Sequence, residues 1–318
     1  MPGFNTHYFF GNNTLQLLEN NYVKECCRRY PGTFCYGLQG PDIFFFCGFV
    51  TLANEHNLGK LIHISDSNLF FRNMFRMVTH FKTRREKEIG IAYMAGFLGH
   101  YVLDTNVHPF VYARTGYDPE HKNPSYNSRH IFLETDMDTL ILEKYTGLRP
   151  SQFRQDKAVL IPLRENKVVA QTLLYAIAKT YPKYVHFPIL MSMSMYLMSI
   201  ATHSLIDKTG RKKYLFRTIE HYLVGHPVIS PLVPSEEFFF YEDPFNTKHE
   251  EWRNPWNREM KSTESFFDLY DRSEAQYLRL LKQFNHVLSH KTKKEVTDFF
   301  KNIGNLSYHS GLDCSILS

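Results

Sequence analysis

The stretch Gly96-Phe-Leu-Gly-His100-Tyr-Val-Leu-Asp104-Thr-Asn-Val-His108-Pro109 carries three metal-type ligands at a spacing of four. Residues four apart lie on one face of an α-helix, so His100, Asp104 and His108 form a single, slowly drifting stripe. Read backwards by fours, the stripe continues through Gly96 and Ala92. Both are small and leave room for something other than a side chain. Pro109 is expected to end the helix, because a proline disfavours helical geometry at the residue before it. His100 and His108 lie about 12 Å apart along the axis, at about 1.5 Å of rise per residue. Ligand nitrogens sit roughly 2.0–2.1 Å from a zinc ion, so these two histidines belong to different ions and Asp104 lies between them.

A second pair follows, His130-Ile-Phe-Leu-Glu134, again one helical turn apart. An imidazole and a carboxylate at that spacing can hold one ion from one helix. His203 and Asp207 share the spacing and are read as an ordinary helix-surface pair, the usual meaning of the pattern when it stands by itself. Upstream, Gln39-Gly-Pro-Asp42 sets a carboxylate on a turn, and His7 precedes it and His63 follows it along the chain as further imidazoles.

Around these residues the dominant period is helical. Phe266, Tyr270, Tyr277, Leu281, Phe284 and Leu288 recur at helical steps. Ser65-Asp66-Ser67 opens a second run carrying Phe70, Met74, Met77, Val78 and Phe81, with a serine able to cap free N–H groups. Similar patterns cover Leu15–Arg29, Lys87–Val107, Asn127–Tyr145, Lys167–Thr180 and Lys213–Val224. Alternation of apolar and polar residues is confined to connectors such as Ala158–Pro162. The expected fold is all-α: a multi-helix single domain over residues 1–318, with the candidate ligands in 1–140 and supporting helices in 150–318.

Composition narrows the function. The chain has 318 residues, 43% apolar and 22% charged, which excludes a disordered protein. A net charge of +5 is too small for a dedicated polyanion binder. Five cysteines without a C-x-x-C pair give neither a disulfide framework nor a zinc ribbon. The segment Met1–Tyr8 lacks a basic and then apolar leader, so the expected location is cytoplasmic. Phe187–Ile206 is uncharged, but its serines, threonine and histidine fit a buried helix better than a membrane span.

The ordered set His7, Gly40-Pro-Asp42, His63, His100-x-x-x-Asp104-x-x-x-His108, His130-x-x-x-Glu134 resembles the zinc-dependent phospholipase C family of bacteria. That family shares an all-helical fold and three clustered zinc ions with the single-strand-specific zinc nucleases. The resemblance spans the first 140 residues and continues more weakly in Asn246-Thr-Lys-His-Glu-Glu-Trp252 and Asn305-Leu-Ser-Tyr308. It implies one zinc on Asp42, His63 and His100, and a second on His108, His130 and Glu134. Asp104 then bridges the first ion to a third that also takes His7. In secreted members an N-terminal tryptophan, exposed by removal of a leader, completes the third site. This chain has no such tryptophan; trimming of Met1 before the small Pro2 would leave an amine only a few residues from His7, and whether it reaches the ion is open.

The implied chemistry is phosphodiester hydrolysis with two to three zinc ions as cofactors. Six positive charges against the three of Asp42, Asp104 and Glu134 would attract an anionic diester. A zinc-bound hydroxide would attack phosphorus, with Asp42 as the catalytic residue that orients or deprotonates the water. No G-x-S-x-G elbow or Walker-type loop competes with this reading. Phospholipid is the expected substrate. The alternatives are a nuclease or nucleotide phosphatase acting on nucleic acid or nucleotides, and a helical interaction protein with structural zinc. Arg84-Arg85, Arg211-Lys-Lys213 and Lys293-Lys294 are expected to be solvated faces, with peripheral membrane contact as their alternative role. Trp252, Trp256 and Phe238–Phe240 are read as packing residues ahead of a hydrophobic mouth. His249 and His309 receive no role.

Overall fold

The helical periodicity is realised as α1 (Phe4–Leu17), α2 (Tyr22–Arg29), α3 (Pro31–Gly37), α4 (Leu58–Ile64), α5 (Ser67–His80), α6 (Arg84–Arg114) and α7 (Tyr126–Thr146). After these come α8 (Gln155–Ala158), α9 (Leu163–Thr180), α10 (Pro188–Leu205), α11 (Arg211–Leu223), α12 (Phe266–Ser289) and α13 (Lys293–Ile303). The computed structural model describes residues 3–47, 57–121, 126–184, 188–223, 227, 229–234, 241–289 and 292–316. Phe238–Phe240 and the Met1-Pro2 terminus lie outside them. Among the described residues the fold is all-α except for one antiparallel hairpin, β1 (Trp252–Asn254) and β2 (Asn257–Ser262). The sequence reading missed this hairpin, whose signal is the turn Asn254-Pro-Trp-Asn257.

Helix α6 is enclosed on all sides, and nearly every residue from Glu88 to Tyr112 is buried. It opens on a capping box in which Thr83 Oγ1 accepts from the Glu86 N–H while Glu86 accepts from the Thr83 N–H. Helices α1, α2, α3, α5, α9 and α12 pack around it. From α12, Tyr277 donates its hydroxyl to the Ala95 carbonyl at 2.7 Å. The periodic apolar residues of α5 and α12 join one continuous core with those of α6.

Several local expectations need correcting. Pro109 does not end α6, which continues to Arg114. Gly311 packs against the Thr105 carbonyl that Pro109 cannot serve, so closely that a β-carbon there would fall 2.5 Å from that oxygen, while its own N–H donates to the Ser307 carbonyl. Leu15–Arg29 is two helices, because Asn21 caps α2 by accepting from the Lys24 N–H at 2.9 Å. Neither Ser65 nor Ser67 caps α5; Ser67 donates to the Leu306 carbonyl, and Asn305 Oδ1 serves the free Asn68 N–H. The connector Ala158–Pro162 contributes no strand.

The small stripe at Ala92 and Gly96 is filled by the backbone of α3. A β-carbon on Gly96 would sit 2.2 Å from the Phe34 carbonyl oxygen, and one on Gly37 would sit 2.4 Å from that of Tyr93. This close approach brings the following Gly40–Phe44 3-10 turn, and with it Asp42, onto the ligand-bearing part of α6. Helix α10 is buried on one face only, with Leu190, Met191, Met195 and Met198 inward and Ile189, Met193, Tyr196 and Ile200 exposed. No helix among the described residues is long and apolar enough to cross a membrane. All five cysteines are buried and free.

Gly96→Ala is expected to lower stability by about 1–3 kcal/mol, because a backbone carbonyl in the way must move. Urea unfolding measures the loss. An unchanged midpoint would mean that α3 and α6 do not approach so closely.

Candidate metal centre

Five elements converge on one buried cluster. Helix α6 supplies His100, Asp104 and His108, and α7 supplies His130 and Glu134, one turn apart. Helix α1 supplies His7, α4 supplies His63, and the 3-10 turn supplies Asp42. All eight predicted residues are brought together. Gly40 adopts φ +51° and lies against the His100 ring, where a β-carbon would fall 2.3 Å from Cδ2. Only glycine meets both demands.

Asp104 is the hub. Its Oδ1 lies 3.1 Å from His7 Nε2, and its Oδ2 lies 3.0 Å from His100 Nε2 and 3.6 Å from His63 Nε2. Asp42 Oδ1 stands 3.2 Å from His63 Nε2 and 3.8 Å from His100 Nε2. A second focus lies at Glu134 Oε1, 2.8 Å from His130 Nε2 and 3.5 Å from His108 Nε2. Ligand atoms close enough for a shared cation form three buried groups: His7–Asp42–His100, His63–His100–Asp104 and His108–His130–Glu134. His100 and His108 fall in different groups, whereas His100 joins two.

The far side of each ring explains its orientation. Nδ1 of His63 donates to the Gly59 carbonyl at 2.7 Å, that of His100 to Leu38 at 3.1 Å, and that of His108 to Tyr308 at 2.9 Å. His130 Nδ1 stands 2.8 Å from the Tyr126 hydroxyl. Backbone carbonyls only accept, so Nδ1 of the first three carries the proton. Their Nε2 atoms then face the cluster, the arrangement typical of ligating histidines. Nε2 of His7, His63, His100 and His108, Asp42 Oδ1 and both Asp104 oxygens are buried without a hydrogen bond of good geometry. Buried polar atoms are seldom left so. An inward ring of imidazole nitrogens and carboxylate oxygens is the donor set zinc favours, and the residues present fit such an ion.

Electrostatics divides the cluster. Burial opposes ionisation of Asp104, yet His100, His108 and His7 draw its carboxyl well below the usual range. Glu134 is likewise lowered against burial, chiefly by His130. Burial pushes His108 down to about 4 and also lowers His7 and His130. His63 goes the other way: burial lowers it, but its bonds to Asp104 and Asp42 carry it up to about 9.

Helix α7 does a second job. One turn beyond Glu134, Asp138 accepts from the Asn5 and Thr6 backbone N–H groups at 3.0 and 2.7 Å, fixing the start of α1 and hence His7. The C-terminal segment clasps the other side: the Tyr308 N–H donates to the His63 carbonyl at 2.9 Å, and Ser307 Oγ donates to the same oxygen. This brings in His309, which the sequence reading passed over. Its ring centroid lies 5.2 Å from that of His63 and 5.8 Å from that of His108. Burial, then His63 and His108, hold it well below the ordinary imidazole value. Nothing local in Ser307-Tyr-His-Ser310 signals this placement.

Tyr112 and Tyr126 flank His130, with Trp256 against Tyr112 at 4.7 Å, so Trp256 packs in an aromatic wall beside the second focus. Trp252 packs edge-on to Phe110. The opposite side opens into a cavity of about 130 Å³ lined by Asn5, Asp42, Phe46, Glu134, Met198 and Leu232. Of the remaining expectations, His203 meets Asp156 at 3.3 Å and not Asp207, which instead holds the start of α11 through the Lys213 N–H. Lys213 is buried, correcting its reading as part of a solvated face.

Among protein-family models, the one described as zinc dependent phospholipase C matches residues 6–189. The match contains all eight cluster residues and stops short of Asn246–Trp252 and Asn305–Tyr308. Comparisons with curated proteins and with solved structures return no match.

With its imidazole raised to about 9, His63 in metal-stripped protein holds a proton through neutral pH that a cation must displace. Zinc titration calorimetry near neutrality, in buffers of different ionisation enthalpy, should register release of about one proton, falling away above the His63 value. Proton release that does not change across that range would refute the raised imidazole.

Proposed function

The chain belongs to the zinc-dependent phospholipase C family, and from that premise we propose that it hydrolyses phosphodiesters, with phospholipid as substrate, at a centre of two to three zinc ions. The observation that carries the reading is Asp104: a fully buried carboxylate whose two oxygens face different imidazoles, as expected of a bridge between cations. In this reading Asp42, His63 and His100 hold one ion and His108, His130 and Glu134 hold a second. Asp104 and His7 serve a third.

Bound zinc supplies positive charge for an anionic diester and lowers the pKa of coordinated water toward neutrality. The chain's own residues do the remainder. Asp42 lines the cavity while its Oδ1 stays within 3.2 Å of His63 Nε2, where it can orient a water and accept its proton. His309, neutral beside His63 and His108, keeps further positive charge away from the imidazoles. Phe46, Met198 and Leu232 give the cavity an apolar side suited to the diglyceride portion of a lipid. A purely structural zinc site would be closed by protein ligands. The cavity beside Asp42 and Glu134 favours the catalytic reading.

Purified protein is expected to contain two to three zinc ions and to cleave a chromogenic phosphocholine diester. Asp42→Asn and His100→Ala should each reduce turnover by about 10²–10⁴-fold, with His100→Ala also losing metal. Zinc-loaded wild type that leaves the diester intact but cleaves single-stranded DNA or a 3′-nucleotide would move the assignment to nucleic acid. Inertness on all three would remove the catalytic reading.

A further inference from the structure

Helix α11 reverses the normal arrangement of a surface helix. Its buried side chains are charged: the Lys213 ammonium donates to the Val233 carbonyl at 3.0 Å, and Glu220 accepts from the Ser230 N–H at 3.1 Å and from that of Ile229. Its apolar side chains face out, with Tyr214 74%, Leu215 55%, Tyr222 81% and Leu223 79% exposed. An ordinary amphipathic helix does the opposite, and a contiguous apolar surface usually marks a docking site.

Charge identifies the occupant. Lys208, Arg211, Lys212 and Arg217 share this segment with the apolar residues, and Lys208 and Arg211 are exposed. The one acid between Lys208 and Leu223 is Glu220, which points inward. Exposed aliphatic and tyrosine side chains in a segment of basic sequence complement an anionic lipid interface, where the rings enter the headgroup boundary and the cations meet phosphate.

Position supports the same occupant. Glu220 ties α11 to the Ser230–Leu232 turn, and Leu232 lines the cavity beside Asp42 and Glu134. Lys212 donates to the Ser204 and Ile206 carbonyls at the end of α10, whose Met198 and Thr202 line that cavity and whose outer stripe carries exposed Ile189 and Ile200. We propose that α11, helped by the outer stripe of α10, docks the protein on an anionic lipid surface and so presents the cavity to it. The purpose of docking rests on the phospholipid reading of the site, but docking itself is measured without turnover.

Co-sedimentation of the full chain with phosphatidylcholine vesicles, with and without one-quarter phosphatidylglycerol, tests this. Wild type should bind the anionic vesicles more tightly and release them as salt rises. The combined variant Leu215→Ser, Tyr222→Ser, Leu223→Ser should lose roughly tenfold or more of the partition coefficient. It should keep wild-type helicity and full turnover of a soluble diester, since none of the three residues lines the cavity. Equal partitioning of variant and wild type, or no vesicle binding by wild type, overturns the proposal. So does a wild-type dimer in sedimentation velocity that the variant dissolves, which would assign the face to a second copy. Vesicle binding without hydrolysis of any diester would leave docking intact and overturn the function proposed above.

Discussion

Asp104 is a carboxylate with no solvent exposure in the middle of a core of phenylalanine, tyrosine and leucine. Removing a lone carboxylate from water is penalised by several kcal/mol even after relaxation. The structure counters this by setting His7, His63 and His100 within 3.6 Å of its oxygens. Those imidazoles repel one another when protonated, and burial drives His7 and His108 toward their neutral forms. The three carboxylates of Asp42, Asp104 and Glu134 outweigh the protonated His63, and their charge is confined in a low dielectric. Divalent cations resolve that conflict, and the fold around Asp104 is arranged as if they were expected.

The surrounding elements hold the rings where that resolution needs them. Backbone carbonyls at Gly59, Leu38 and Tyr308 take the Nδ1 protons, so three imidazoles present Nε2 without relying on other mobile side chains. These carbonyls come from α4, the end of α3 and the C-terminal segment. The cluster therefore depends on chain segments more than two hundred residues apart. Asp138 adds a further link, because the helix that carries His130 and Glu134 also fixes the helix that carries His7. Such a network loses more than one contact when any supporting segment moves.

Periodicity made the long helices legible: the apolar repeats of α5, α6, α7, α9 and α12 are strong enough that tertiary contacts did not override them. Five residues of the candidate cluster were legible for a different reason, since ligands at i and i+4 on two helices announce themselves by spacing, whereas His7, Asp42 and His63 entered only through the family resemblance. What was hidden was set by contacts distant in sequence. Pro109 lies inside α6 with Gly311 packed against the freed Thr105 carbonyl, a proximity that local sequence cannot reveal. The small stripe at Ala92 and Gly96 suggested open space because the approaching backbone of α3 leaves no mark in the sequence of α6. His309 reaches the cluster because the neighbouring Tyr308 N–H and Ser307 hydroxyl both donate to the His63 carbonyl far upstream, and a backbone acceptor carries no residue signature.

Two places break the rule of polar outside and apolar inside, and they do so in opposite directions. The cluster around Asp104 buries charge, while α11 buries Lys213 and Glu220 and turns Tyr222 and Leu223 outward. Foldable sequences are locally consistent, so violations concentrate where function requires them. Neither violation is isolated from the other. Glu220 grips the Ser230–Leu232 turn, Thr135 on α7 donates to the Pro231 carbonyl at 2.8 Å, and Glu134 is the next residue along. A surface that settles on the outer face of α11 thus bears on the same turn that braces the ligand helix.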